Sequence, residues 1–88
     1  MTYSVSFANR AEKDLARLDR KNQQRIRDRS RDLEVNPYDP RVSAPLTAKG
    51  GLRKSRVGGW RMIFTVDNET RLVYVLTIER RGQVYNRL

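Results

Sequence analysis

Arginine dominates the chemistry this chain can offer. Fifteen of its nineteen cationic side chains are Arg, against ten Asp and Glu, and the net charge is +9. Residues 48–61 carry Lys49, Arg53, Lys54, Arg56 and Arg61 without a single acid. Such a run suits phosphate, which a guanidinium grips through two parallel N–H donors. Gly58-Gly59 reads as a two-residue hairpin turn, which sets Val57 across from Trp60 and Arg56 directly across from Arg61. Opposed side chains in an antiparallel pair have Cβ atoms ~5 Å apart, and like charges there repel. Lys54, two residues from Arg56, shares their face. Three cations on one face, with no carboxylate near them in sequence, invite an external anion. The alternative is a solvated face whose long side chains splay apart and bind nothing specific. Arg80-Arg81 and Tyr85 form a second group in the tail, and their direction relative to this face is open.

Other chemistries drop out by composition. Without cysteine there is no disulfide, thiol chemistry or Cys-ligated zinc. Without histidine the usual ligand of catalytic metals and the usual proton carrier at neutral pH are gone. Neither a metal nor a cofactor is expected. No apolar run approaches the ~18 residues of a membrane span, and the N-terminus lacks a secretory pattern. The expectation is a soluble cytoplasmic protein with no membrane partner. A basic excess of this size points to nucleic acid as the first candidate ligand.

The elements that must position these groups follow from the hydropathy pattern. Eighty-eight residues make one domain, 1–88. Tyr3-Ser4-Val5-Ser6-Phe7 alternates as a half-buried strand. Asn9 with Glu12 reads as a capping box opening a helix whose apolar face is Ala11, Leu15 and Leu18. Asp19 breaks that helix and caps a second, charge-rich one with a thin stripe of Ile26 and Leu33. Asn36-Pro37 ends it, because proline disfavours helical geometry in the residue before it. Residues 37–50 read as a connecting loop. Strands follow at Leu52–Val57, Trp60–Val66 and Leu72–Ile78. The result is an α+β domain of order β-α-α-β-β-β, two helices on a small antiparallel sheet. Counting across the Asn68-Glu69 turn puts Arg61 opposite Leu76. Trp60, Met62, Phe64, Leu72, Tyr74, Leu76 and Ile78 are the expected core, packed on Leu15, Leu18, Ile26 and Leu33. Charge is uneven: residues 1–44 hold ten cations and seven anions, residues 45–88 nine and three. The helix charges thus read as largely self-compensated and the sheet charges do not.

Taken together, these segments resemble the RelE/ParE family of toxins from toxin–antitoxin pairs. The resemblance spans nearly the whole chain. It covers the Tyr3-x-Val5-x-Phe7 strand, the helix Ala11-x-Lys13-Asp14-Leu15-x-x-Leu18, and the Asn36-Pro37 break. Its most specific part is Gly51-Leu52-Arg53-Lys54-Ser55-Arg56-Val57-Gly58-Gly59-Trp60-Arg61-Met62-Ile63-Phe64, and the ending through Arg81, Val84 and Tyr85 is similar too. Arg53 stands where an aromatic is usual, and Gly59 and Gly82 where polar or charged residues are common.

The resemblance implies a RelE-type fold, an antitoxin partner that wraps the basic sheet, and a heterotetramer as the candidate assembly. RelE-like members cleave mRNA in the ribosomal A site, with contacts to 16S rRNA, whereas ParE-like members poison DNA gyrase. The cleaving branch carries basic residues at the positions of Lys54, Arg56, Arg61 and Arg81 and a tyrosine at Tyr85. All five are present, which favours a ribosome-dependent, metal-independent endoribonuclease. Lys49, Arg53 and Arg80 are then further RNA-binding candidates. Chemistry without histidine has a route: the ribose 2′-OH attacks its own 3′-phosphate. Arg56 and Arg61 would stabilise charge on the phosphoryl oxygens, and Arg81 would serve the leaving oxygen. Lys54, crowded by arginines that disfavour its ammonium form, is the candidate base, with Tyr85 its rival or a stacking platform. A ParE-like gyrase inhibitor and a non-catalytic basic RNA-binding module are the alternatives.

Overall fold

A computed structural model of the chain describes residues 2–47 and 50–80. The elements are β1 (Ser4–Phe7), α1 (Asn9–Ala16), α2 (Arg20–Val35), β2 (Ala44–Pro45), β3 (Arg53–Val57), β4 (Trp60–Asp67) and β5 (Leu72–Arg80). Local signals set most boundaries. Asp19 caps α2, its side chain accepting from the Asn22 N–H at 2.9 Å, as its residue type favours. Asn36 turns extended and α2 stops before Pro37. The capping box at Asn9 does not form. Ala8 is the N-cap of α1 and makes no side-chain cap bond. Ala8 donates its N–H to Val75 O while its carbonyl accepts from Glu12, so chain reversal straight out of β1 fixes the helix start.

The five strands form one sheet in the order β1-β5-β4-β3-β2. Three neighbouring pairs are antiparallel, but β1 runs parallel to β5, from Ser4↔Leu72 to Phe7↔Val75. The sheet is therefore mixed, not wholly antiparallel as the sequence pattern predicts. Parallel neighbours need a long crossover, and here the two helices and the rest of the sheet lie between them in sequence. The 37–50 connection also contributes β2, which pairs Ala44 with Lys54 and Pro45 with Arg53. Proline is tolerated there because an edge strand has no outer partner to supply.

Both helices cover one sheet face. Ala11, Leu18, Ile26 and Leu33 meet Val57, Met62, Phe64, Val73, Val75 and Ile78, with Tyr3, Val5, Phe7, Leu15 and Trp60 packed around them. The β5 part of this core departs from expectation. Leu72 and Leu76 are only half-buried, and Tyr74 is 38% exposed. The cause is a bulge: Phe64 pairs with Val75 but Ile63 with Thr77, leaving Leu76 unmatched. An extra residue reverses the inward parity of every residue after it. Val73 and Val75 face the helices before the bulge and Ile78 after it. Beyond it, the Ile78 N–H donates to the Asp14 carboxylate of α1 at 3.0 Å. The β4–β5 connection is also longer than the Asn68-Glu69 pattern implies, running through Arg71 at φ 56° before Asp67 pairs with Leu72. Turn and bulge together move the partner of Arg61 from Leu76 to Glu79.

Candidate nucleic-acid interface

The β3–β4 hairpin forms in the expected register, Arg56 opposite Arg61 and Val57 opposite Trp60. Gly58 takes φ +60°, the left-handed first position of a type II′ turn. A Cβ there would lie 2.9 Å from Arg25 Nη1, so the guanidinium of α2 leans over the turn.

Strand alternation sorts the side chains. Ser55 and Val57 are buried towards the helices, which leaves Lys54 and Arg56 on the opposite face. Cross-strand pairing then lays out two rows on that face. One is Arg56, Arg61, Glu79; the next is Lys54, Ile63, Thr77. Three neighbouring strands span ~10 Å and successive rows lie ~6.6 Å apart.

The row through Arg61 overturns one expectation. An acid does share the face: Arg61 Nη2 lies 3.7 Å from Glu79 Oε1, and the Arg61 side chain is only 5% exposed against 29% for Glu79. Thr77 Oγ1 donates to Glu79 Oε2 at 3.3 Å. The register shift described above puts this carboxylate opposite Arg61, where simple counting places a leucine. Lys54 and Arg56 differ, since their side chains make no ion pair among the described residues.

Beside them the β3 edge opens into a cleft of about 400 Å³ lined by Arg29, Pro40, Arg41, Val42, Ser43, Ala44, Lys54 and Arg56. Arg29 of α2 braces its wall. It donates from Nη1 to Ser55 Oγ at 2.9 Å and to the Arg56 carbonyl, with Asp32 3.5 Å from its Nε. The guanidinium thereby occupies the edge where the short β2 no longer pairs with β3. On the other wall Arg41, 86% exposed at its side chain, reaches Asp39 with Nη2 at 2.8 Å. Hydrogen bonds from the Arg41 side chain, and then from its backbone N–H, hold the Asp39 carboxyl below the usual carboxylate range.

The remaining site candidates are dispersed. Arg53 follows the inward parity of β3, donating from Nε to Ser43 Oγ at 2.9 Å and lying 4.9 Å from the Tyr38 ring centroid. Arg80 lies over Trp60, 5.5 Å from its ring centroid, on the helix side of the sheet. Lys49, Arg81 and Tyr85 lie outside the described residues. Sequence reasoning missed Arg25, Arg29, Arg41 and Glu79. The i, i+4 spacing of Arg25 and Arg29 on one helix stripe was a usable signal; the place of Glu79 depended on the bulge. Among the described residues no three metal-ligating side chains gather, and no helix is long and apolar enough to cross a membrane.

A five-stranded mixed sheet with two helices packed on one face matches the architecture of RelE-like structures. The family model described as ParE toxin of type II toxin-antitoxin system, parDE, matches residues 5–85, and the chain belongs to this RelE/ParE family. The chain is similar to the toxin–antitoxin complex RelBE2 from Mycobacterium tuberculosis: TM-score 0.81, 28% identity, 92% of this chain and 100% of that one covered. The RelE–RelB complex from Pyrococcus horikoshii OT3 gives TM-score 0.81 and 25% identity, covering 94% and 99%. The isolated E. coli RelE toxin shares the fold at TM-score 0.77 and 20% identity, covering 97% and 93%. No curated protein matches the sequence.

Proposed function

We propose that this toxin is a cytoplasmic, ribosome-dependent endoribonuclease that cleaves mRNA in the A site through attack of a 2′-OH on its neighbouring phosphate. The observation that carries this reading is the pair Lys54 and Arg56, side by side on one sheet face without acid partners among the described residues, with the recessed Arg61 in the row of Arg56. Positioned guanidinium donors are worth ~3–4 kcal/mol each to a phosphoryl transition state, by analogy with oxyanion donors. Orientation of the message by the ribosome supplies a further ~7–11 kcal/mol, which lets a site without histidine work. A RelB-type antitoxin is the natural partner, covering the cations that RNA would occupy. The relatives solved as RelB complexes support this assignment.

A gyrase poison is the second reading, favoured by the parDE description of the matching family model. Purified toxin added to a translation extract and, separately, to gyrase with supercoiled plasmid decides between them. The expected result is message cut at discrete codons with intact plasmid. Broken plasmid with intact message would replace the first reading by the second. Salt-sensitive RNA binding with no product of either kind would reduce the protein to a binding module.

A further inference from the structure

Glu79 has no place in the scheme drawn from sequence, yet the fold sets its carboxylate among the cations. Resting on the endoribonuclease reading above, we infer that Glu79 is the general base, taking the proton of the attacking ribose 2′-OH.

Three observations converge on it. First, it completes the row Arg56, Arg61, Glu79 across three strands. The charged groups facing it among the described residues are Arg61 on β4 and, one strand further, Arg56 and Lys54 on β3. Arg80, its neighbour in β5, turns to the helix side over Trp60, and Asp14 of α1 meets β5 from that side as well. The other acid on this face of β4, Asp67, is six residues from Arg61, ~20 Å along the strand, and is engaged by the Glu69 and Thr70 N–H groups of its own turn. Second, Glu79 is accessible where Arg61 is not, at 29% against 5% side-chain exposure. Third, its oxygens are held loosely. The 3.7 Å to Arg61 and 3.3 Å to Thr77 both exceed the usual hydrogen-bond range, so lone pairs are left for a substrate hydroxyl.

Glu79 also resolves the protonation problem of the Lys54 scheme. Lysine must lose a proton before it can act as a base, whereas a carboxylate is ionised throughout the neutral range and an ammonium is already an acid. The 2′-proton passes to a Glu79 oxygen as the 2′-O–P bond forms. The P–O5′ bond breaks, and the leaving oxygen takes a proton from the Lys54 ammonium. The products are a 2′,3′-cyclic phosphate and a 5′-hydroxyl, and both side chains re-equilibrate with water.

The test is single-turnover cleavage of ribosome-bound message across pH by the full-length toxin, with Glu79→Gln and Glu79→Asp alongside and folding checked by thermal unfolding. Glu79→Gln should cut about 100-fold or more slowly, and Glu79→Asp should recover part of the rate. The wild-type rate should be flat between about pH 6 and 8. Cutting by a folded Glu79→Gln at the wild-type rate overturns the assignment and leaves the endoribonuclease reading standing. So does a wild-type rate that climbs about tenfold per pH unit over that range, the mark of a lysine or tyrosine base; this arm holds even if the Gln variant does not fold. A wild type that cuts no message on any programmed ribosome removes both.

Discussion

Arg56 and Arg61 are cross-strand partners on one sheet face, yet they stand in different electrostatic states. Arg56 is exposed at the β3 edge and has no acid partner among the described residues; Arg61 is buried in the β4–β5 centre with Glu79. Like charges opposed in a sheet cost up to ~1 kcal/mol. An opposite charge at about 4 Å returns on the order of 4 kcal/mol before desolvation. The third strand therefore decides whether two facing arginines can be tolerated. The centre is an internally balanced pair, and the edge, where Lys54 and Arg56 have no acid partner among the described residues, is where positive charge is left for a ligand.

The largest test of this contrast removes one cation at a time. Lys54→Ala and Arg56→Ala should each slow message cleavage about 100- to 1000-fold while changing stability by no more than about 0.5 kcal/mol. Arg61→Ala should lose cleavage and also about 1–3 kcal/mol of stability, because it strands a half-buried carboxylate. At the usual 4–8 °C per kcal/mol for a domain of this size, its Tm should fall by about 4–24 °C. Equal melting temperatures for all three variants would erase the distinction between edge and centre.

That distinction was only half legible in the sequence. The Gly58-Gly59 turn, the Asp19 cap and the Asn36-Pro37 stop are each encoded within a few residues, and each was readable. So was the pairing of Arg56 with Arg61, because a two-residue turn fixes register by itself. Beyond the hairpin the information is non-local. Leu72, Tyr74 and Leu76 carry as good an alternating pattern as Val73 and Val75, and only the three-dimensional pairing selects between them. The selection depends on Leu76 bulging and on Asp14, 64 residues away in sequence, accepting the Ile78 N–H. Glu79 inherits its place from the same bulge. The parallel β1–β5 pair and the two-residue β2 were likewise invisible, since no local motif distinguishes an edge from an interior neighbour.

A smaller effect should separate bracing from binding within the cleft. Arg29 donates to Ser55 Oγ and the Arg56 carbonyl, so Arg29→Ala leaves a buried hydroxyl and an edge carbonyl without this donor. The expected cost is about 1–2 kcal/mol in urea unfolding. A stability equal to wild type would make Arg29 a cleft cation like Arg41 instead of part of the wall.

The smallest effect on the fold, and the sharpest on the ligand, belongs to Arg41. Its guanidinium is almost fully exposed, so Arg41→Ala should leave the melting temperature near neutral pH almost unchanged. If the cleft carries a phosphate, the slope of log affinity against log salt for a single-stranded RNA should shrink by about 0.7, the value of one phosphate contact. The same substitution has a readout on Asp39, whose carboxyl is held low by Arg41. A carboxyl depressed in the folded state contributes stability above the ordinary Asp range near ~3.9 and loses it as pH falls through the lower folded value. The Asp39 carbon resonance of the variant should therefore titrate at higher pH than in wild type, and any stability difference between the two should vanish in strong acid. An unchanged Asp39 titration would show that the loop pair does not hold Arg41 in solution. An unchanged salt slope would confine ligand charge to Lys54 and Arg56, leaving the outer wall of the cleft without a part in binding.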